Sequence, residues 1–342
     1  VTYSIVARDT QTGEMGVATQ SQAFAVGNSV PFALPGQGVI ATQSMAEPMY
    51  GQIGLDLMRG GFTANEALTA LRSVDPHPER RQVAVLDVSG DLAVYTGGNC
   101  VAAAGHLVGE GCVALANMVT SPQVWESMVA TFETSDGPMA RRLLSALRAA
   151  EDAGGDLRGR RSAAVMVVRS VTTGRPWHDT VVDLRVDDSP DPVTELGDLV
   201  ARLARYHDVV RAFQQAIGGD PVTADLVLED LRLPDPHTEP DHVLWRAVVA
   251  GLAGREDTAR TLLTELAEVA PQFVEVGRRF GAAGLVPADL LERIMPPVPS
   301  VPRTHVADGA AGPSGDGTAA VVPSADGTAA VVPSADPSAA AV

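Results

Sequence analysis

Lysine is absent from all 342 residues, so each of the 25 basic side chains is an arginine. That excludes a lysine Schiff base, a pyridoxal-phosphate lysine and a P-loop lysine. Cysteine is nearly absent: Cys100 and Cys112 make neither a disulfide framework nor a zinc cluster. The 7 histidines are scattered, with no two at metal-ligand spacing. No metal or other cofactor is therefore expected. Aromatic residues are scarce at 4%, so alanine and small aliphatic residues must build the core. Basic charge is outweighed by 42 acidic residues, which leaves a net charge of -17. A nucleic-acid partner needs a basic patch, and none is expected here. No apolar run approaches the ~20 residues of a membrane span, and no charged and apolar leader opens the chain. The expectation is a cytoplasmic protein with no membrane partner. What is present, 45% hydrophobic and 20% charged residues, is the composition of a globular protein.

Three textures follow one another. Residues 1–190 mix strands and helices, residues 191–296 read as helices, and residues 297–342 are low-complexity. Strand-like alternation marks Tyr3 to Asp9 and Met15 to Gln20, with a turn at Gly13. A loop is expected through Gly38, then a strand at Val39 to Gln43. Two helices come next, about Pro48 to Gly60 and another from Thr63, which forms a capping-box pattern with Glu66. Strands are expected at Arg81 to Asp87, Leu92 to Thr96 and Cys112 to Met118. A helix pair at about Pro122 to Thr134 and Pro138 to Ala153 precedes strands at Ser162 to Arg169 and Thr180 to Val186. Hairpin-linked strands with paired helices argue against a doubly wound parallel sheet. They predict an α+β fold, a four-layer αββα sandwich. A small region of helical hairpins resembling tetratricopeptide units should follow from Asp191-Pro192. One or two such units are too few for a solenoid, so the region is expected to pack on the first domain or on a second subunit in a homo-oligomer. The tail repeats DGTAAVVPSA at Asp316 to Ala325 and Asp326 to Ala335, and disorder is expected there.

The residue with the most chemistry per atom is Thr2. A valine codon read as initiator places methionine first in the cell, and methionine is removed ahead of a small side chain such as threonine. Thr2 would then carry a free α-amine of reference pKa near 7.7–8.0. That amine can take the hydroxyl proton while the oxygen attacks a carbonyl. An acyl-enzyme forms and water releases it, with no need for metal or lysine. The bland alternative is a second residue chosen for β propensity and methionine removal.

The openings VTYSIVARD (Val1 to Asp9) and GEMGVATQSQAFAVGNSVPFA (Gly13 to Ala33) resemble the bacterial family named domain of unknown function 1028. YTGGNCVAAAGH (Tyr95 to His106), GGDLRGRRSAAV (Gly154 to Val165) and VDLRVDDSPDP (Val182 to Pro192) follow in the family's order. The resemblance spans roughly residues 1 to 200. It implies an Ntn-hydrolase-like αββα fold with the nucleophile at the start of the first strand. Two positions depart from the family pattern: Arg161 stands for a glutamine and Ser189 for a histidine, which puts substrate preference in question.

An oxyanion needs aimed donors, often backbone N–H groups or an amide side chain. Asn117, ending an apolar strand, is the first candidate; a strand-end turn residue is the alternative. Gln20 and Ser21 end the second strand and Gln43 the third, so they either line the site or are satisfied loop groups. Asn99 follows Gly97-Gly98 as a site or turn residue. His106 serves as a substrate contact, a structural histidine, or the base of a different hydrolase working through serine or cysteine. Asp156, Arg158 and Arg160 lie in a glycine-bracketed loop. They offer a fork for a substrate carboxylate or an internal Asp–Arg pair. Asp187, Asp188 and Asp191 make a poor calcium site. The functional expectation is an amidohydrolase acting on a small amide, peptide or acyl-amine. A non-catalytic small-molecule or protein-binding member of the same fold is the alternative.

Overall fold

Alternating apolar residues build the first hairpin. Thr2–Arg8 forms strand β1 and Met15–Ser21 forms β2. Between them Asp9 Oδ1 accepts the N–H groups of Gln11 and Thr12, and Gly13 takes φ +74°, where a side chain would be strained. The computed structural model describes residues 2–231 and 235–297. The remaining strands are β3 (Pro31–Leu34), β4 (Gly38–Ser44), β5 (Arg81–Asp87), β6 (Leu92–Thr96), β7 (Gly105–Gly109), β8 (Cys112–Asn117), β9 (Ser162–Val168) and β10 (Thr180–Val186). They form two sheets. One has the order β10-β9-β2-β1-β8-β7 and the other β3-β4-β5-β6; every strand pair is antiparallel.

The helices are α1 (Met49–Arg59), α2 (Ala64–Val74), α3 (Gln123–Thr134), α4 (Met139–Asp152) and the single turn α5 (Pro176–Asp179). Then come α6 (Pro192–Ile217), α7 (Pro221–Glu229), α8 (Pro240–Leu252), α9 (Glu256–Val269), α10 (Pro271–Ala282) and α11 (Ala288–Ile294). Thr63 caps α2 through the reciprocal Thr63–Glu66 bonds that its sequence signalled.

Strand alternation sorts the core. Val6, Met15, Val17, Val113, Leu115 and Val168 of the larger sheet share one apolar core with Val39, Ala41, Ala84 and Leu86 of the smaller. The opposite faces of β1 and β8, with Tyr3, Ile5, Ala114 and Ala116, pack against Met128, Phe132, Leu143 and Leu147 of α3 and α4. The outer face of the smaller sheet, with Ile40, Val83 and Val85, packs against Tyr50, Leu68 and Leu71 of α1 and α2. The chain is thus a mixed α/β protein of antiparallel sheets and helix pairs. Residues up to Pro296 make one compact unit. The first turns of α6 belong to the α3–α4 core through Val193 and Leu196, and its far half joins α7 and α8 through Val209, Ala212 and Ala216. A separate core ties α8 to α11, with Leu244, Val248, Leu263, Leu266 and Ile294 fully or nearly buried.

Two strands depart from expectation. Pro31–Leu34 pairs with β4 where a loop was expected; Pro31 stands at the first position, the one place a strand accepts proline readily. Gly105–Gly109 was not read as a strand. It is a half-exposed edge strand bounded by glycines, so it carries no alternating apolar signal. The disorder expected for the repeat tail concerns residues 298–342, which lie outside the described residues.

Candidate active site

The face of β1 that carries Val6 into the core between the sheets also carries Ser4 and Thr2, because side chains repeat every second residue. The same switch from apolar to polar occurs on the neighbouring strands. Met15 and Val17 give way to Thr19 and Ser21 on β2, and Val113 and Leu115 to Asn117 on β8. Val39 and Ala41 give way to Gln43 on β4, and Leu86 and Ala84 to Gln82 on β5. One end of this core is therefore polar. Thr2 stands at its edge, opposite Ser21 on one side and Asn117 on the other.

The polar side chains are bonded to one another. Thr2 Oγ1 donates to Ser21 Oγ at 3.1 Å. Ser4 Oγ donates to Gln43 Oε1 at 2.6 Å and lies 2.9 Å from Thr19 Oγ1. Gln43 Nε2, with two hydrogens, has three acceptors within reach: the carbonyls of Thr2 (3.1 Å) and Leu115 (3.2 Å) and Gln82 Oε1 (2.8 Å). Gln82 Nε2 shares its two hydrogens among three acceptors: the carbonyls of Gly105 (3.0 Å) and Ala116 (2.9 Å) and Thr96 Oγ1 (3.0 Å). Backbone carbonyls can only accept, so they fix which way both glutamine amides face. Gln82 Oε1 must then receive Asn117 Nδ2, at 3.0 Å. The second hydrogen of Asn117 Nδ2 has only a 3.5 Å approach to the Thr2 carbonyl. Asn117 Oδ1 is buried and has no hydrogen-bond partner among the described residues. Asn117 therefore presents one unused acceptor and one nearly unused donor beside Thr2.

The backbone leaves these strands abruptly. Ser44, after Gln43, has φ +75°, and Met118, after Asn117, has φ +51°. Such left-handed conformations in residues other than glycine cost of order 1–3 kcal/mol and gather at functional sites. His106 on β7 lies at the network's outer end, with Nδ1 2.8 Å from Thr96 Oγ1. Thr96 accepts from Gln82, which leaves its own hydrogen for His106 Nδ1. Desolvation holds the His106 pKa below its ordinary value, so the ring is neutral and accepts that bond at neutral pH.

Of the residues singled out in the sequence, Ser21, Gln43 and Asn117 meet at Thr2, and His106 is reached through Gln82 and Thr96. Ser4, Thr19, Gln82 and Thr96 were missed, although each continues an apolar alternation on the same face. Gln20 does not face Thr2. It stands opposite Tyr3 on β2, on the face that carries Ala18 toward α4, so alternation turns it away. Asn99 is exposed in its turn, where its N–H donates to the Glu79 carbonyl at 2.8 Å. Asp156 holds its own loop: it accepts the N–H groups of Gln22 (2.9 Å) and Arg158 (2.7 Å) and pairs with Arg158 Nη2 at 3.4 Å. Arg160 pairs with Glu151 and Asp191, each at 3.4 Å. Arg161, one of the departures from the family pattern, pairs with Asp188 at 2.8 Å. Burial pushes the Cys112 thiol up to about 12, which removes it as a nucleophile. Among the described residues no group of three or more His, Cys, Asp or Glu is placed to hold a metal ion. No helix among them is long and apolar enough to cross a membrane.

No curated protein matches the chain. A solved structure does: a protein of the same family description from Silicibacter pomeroyi, 32% identical, with a TM-score of 0.54 over 59% of this chain and 85% of that one. Residues 2–196 match the family of unknown function DUF1028, and the match takes in every strand and the whole polar network around Thr2. The chain belongs to that family.

Proposed function

We propose that this protein is an amidohydrolase whose nucleophile is the hydroxyl of an amino-terminal Thr2. The observation that carries the reading is the convergence of Ser21, Gln43, Gln82 and Asn117 on Thr2 at the polar end of the core between the sheets, with Asn117 Oδ1 unpaired. Support also comes from the succession of helix pair, sheet, sheet and helix pair. It is the layering of the amino-terminal-nucleophile hydrolases that the sequence resembles.

The chemistry requires that Thr2 be first in the mature chain. Its α-amine then accepts the proton of Oγ1 as that oxygen attacks the carbonyl carbon of a small amide, peptide or acyl-amine. Asn117 Oδ1 accepts an N–H of the α-amine and orients it. The second hydrogen of Asn117 Nδ2 is the side-chain donor for the oxyanion. The tetrahedral adduct collapses, the C–N bond breaks, and the leaving amine takes the proton back. Water, deprotonated by the Thr2 α-amine, attacks the Thr2 ester; the acyl–oxygen bond breaks and the amine returns the proton to Oγ1.

One observation favours a non-catalytic reading: every polar atom of Gln43 and Gln82 has a bond, as in a structural polar core. The two readings separate on one experiment. Intact mass of the native protein should show Thr2 first, and an electrophilic acyl trap should add once, at Thr2. Loss of the adduct in Thr2→Ala, with folding intact, is the expected result. An initiator residue still attached in the native protein, or no adduct with any trap, would overturn the hydrolase.

A further inference from the structure

The other face of β1 carries a second polar constellation that the Thr2 chemistry does not use. Tyr3 is fully buried, yet its hydroxyl has no hydrogen-bond partner among the described residues. It lines a cavity of about 360 Å³ with Glu151 and Asp152 at the end of α4, Asp156, Arg160 and the glycines 154, 155 and 159. That volume falls within the usual range of small-ligand pockets, roughly 300–1,000 Å³. Glu151 Oε1, also buried, is unpaired; its other oxygen meets Arg160 at 3.4 Å. Beneath them Gln20, opposite Tyr3 in the sheet, is fully buried with both amide atoms unpaired.

So many buried polar atoms without partners are rare in a finished core, and each calls for an explanation. Here Tyr3 and Glu151 line one opening, and Gln20 neighbours Tyr3 in the sheet. The glycines leave room above the phenol: a Cβ on Gly155 would come within 3.8 Å of the Tyr3 ring. Acidic groups outnumber basic ones here: Arg160 is shared between Glu151 and Asp191, Arg158 pairs with Asp156, and Asp152 adds a further carboxylate. Asp156 is already satisfied by backbone N–H groups. Glu151 Oε1 and the Tyr3 hydroxyl stand toward each other without closing a full hydrogen bond, with the exposed Asp152 at the rim. Burial, then the Glu151 charge and the side-chain contact with Glu151, hold the Tyr3 phenol pKa well above its ordinary value, so the hydroxyl stays neutral and can accept as well as donate. Burial likewise raises the Glu151 pKa.

We propose that this cavity, walled by Tyr3, Glu151 and the Gly154–Arg160 loop, is a binding site for a small molecule bearing a primary ammonium group. An ammonium offers three N–H donors on a compact head. It fits the acceptors of Glu151 and Tyr3 and the excess negative charge; a carboxylate or phosphate does not. A metal ion lacks a ligand set, since the described residues hold no group that would bind one.

The site is independent of Thr2 chemistry, so Thr2→Ala must still bind. Calorimetric titration of the full chain with ethanolamine and ethylammonium, against acetate and magnesium chloride, is the test. Saturable binding of the amines alone is expected, with a rise in melting temperature that grows with amine concentration. Tyr3→Phe should weaken the amines about ten- to a hundredfold, the usual effect of losing a hydrogen bond to a charged group. Glu151→Gln should weaken them at least as much. Without ligand, Tyr3→Phe should melt at or above the wild type, because it removes a buried hydroxyl that closes no full hydrogen bond. Amine binding unchanged in Tyr3→Phe, tighter binding of acetate or magnesium, no amine binding at millimolar concentration, or a ligand-free Tyr3→Phe that melts lower would each overturn the assignment.

Discussion

Replacing Gln82 with methionine tests whether the polar end of the core is held together as described. The side chain is fully buried, and methionine keeps much of its length and volume while removing the amide. Gln43 Nε2 would keep its bonds to the Thr2 and Leu115 carbonyls. Asn117 Nδ2 would keep only its 3.5 Å approach to Thr2. The Gly105 and Ala116 carbonyls would each lose a side-chain donor. One orphaned buried donor costs about 1–3 kcal/mol. The carbonyls retain ladder partners and add less, so a total loss of about 2–4 kcal/mol is expected. Urea unfolding followed by circular dichroism measures it, with amide exchange on β1 and β8 as the local readout. Thr96→Val, at the half-buried end of the same chain of bonds, should cost less than about 1 kcal/mol. A loss below about 1 kcal/mol for Gln82→Met, or protection at β1 unchanged, would refute the idea that this glutamine organises the site.

Gln82→Glu should show its defect only away from acid. A carboxylate buried against two carbonyls has a raised pKa. The penalty is absent below the unfolded value of about 4.3, grows as pH rises from there to the folded pKa, and is constant above it; urea midpoints across pH check this. Asp75 behaves oppositely. The Arg81 guanidinium bonded to it outweighs burial, and the His77 N–H and Tyr50 hydroxyl add to the pull, holding its carboxyl at about 2. Its contribution, about 2 kcal/mol, is present above the unfolded pKa near 3.9 and lost as pH falls toward the folded value; Asp75→Asn should flatten that acid limb. Gly51→Ala should destabilise by about 1–3 kcal/mol, because the new Cβ would stand 2.1 Å from the Phe32 ring where α1 crosses β3. Iodoacetamide should label Cys100 in the native protein and leave Cys112 unmodified until the chain unfolds, as peptide mass mapping can show.

Much of the scaffold was legible. The hairpins β1–β2 and β5–β6, the paired helices and the Thr63 cap follow from alternation, 3.6-residue spacing and cap chemistry, all local signals. β3 and β7 were hidden although each pairs with the next strand in sequence. Both are short sheet-edge strands, β3 opening on a proline and β7 bounded by glycines, so neither carries an alternating apolar signal. The candidate site was half legible for a related reason. Thr2, Ser21, Gln43 and Asn117 stand at strand ends, where a polar residue after an apolar run draws notice. Ser4, Thr19 and Gln82 sit within strands and look like ordinary alternation until both sheets are seen to turn the same face inward. Gln20 shows the converse. Adjacent to Ser21 in sequence, it was grouped with it, and a strand sends adjacent side chains to opposite faces.

The 26 residues of α6 make a rod of about 39 Å. Its first turns are fixed among α3 and α4, and its last are fixed among α7 and α8. An uninterrupted helix cannot melt at one end without giving up contacts in the adjoining core. The strand-bearing part and the helical part should therefore unfold as one cooperative block rather than in two steps. A single calorimetric transition, sharpened by the shared helix and split by a glycine pair placed at its exposed middle, is the signature to expect.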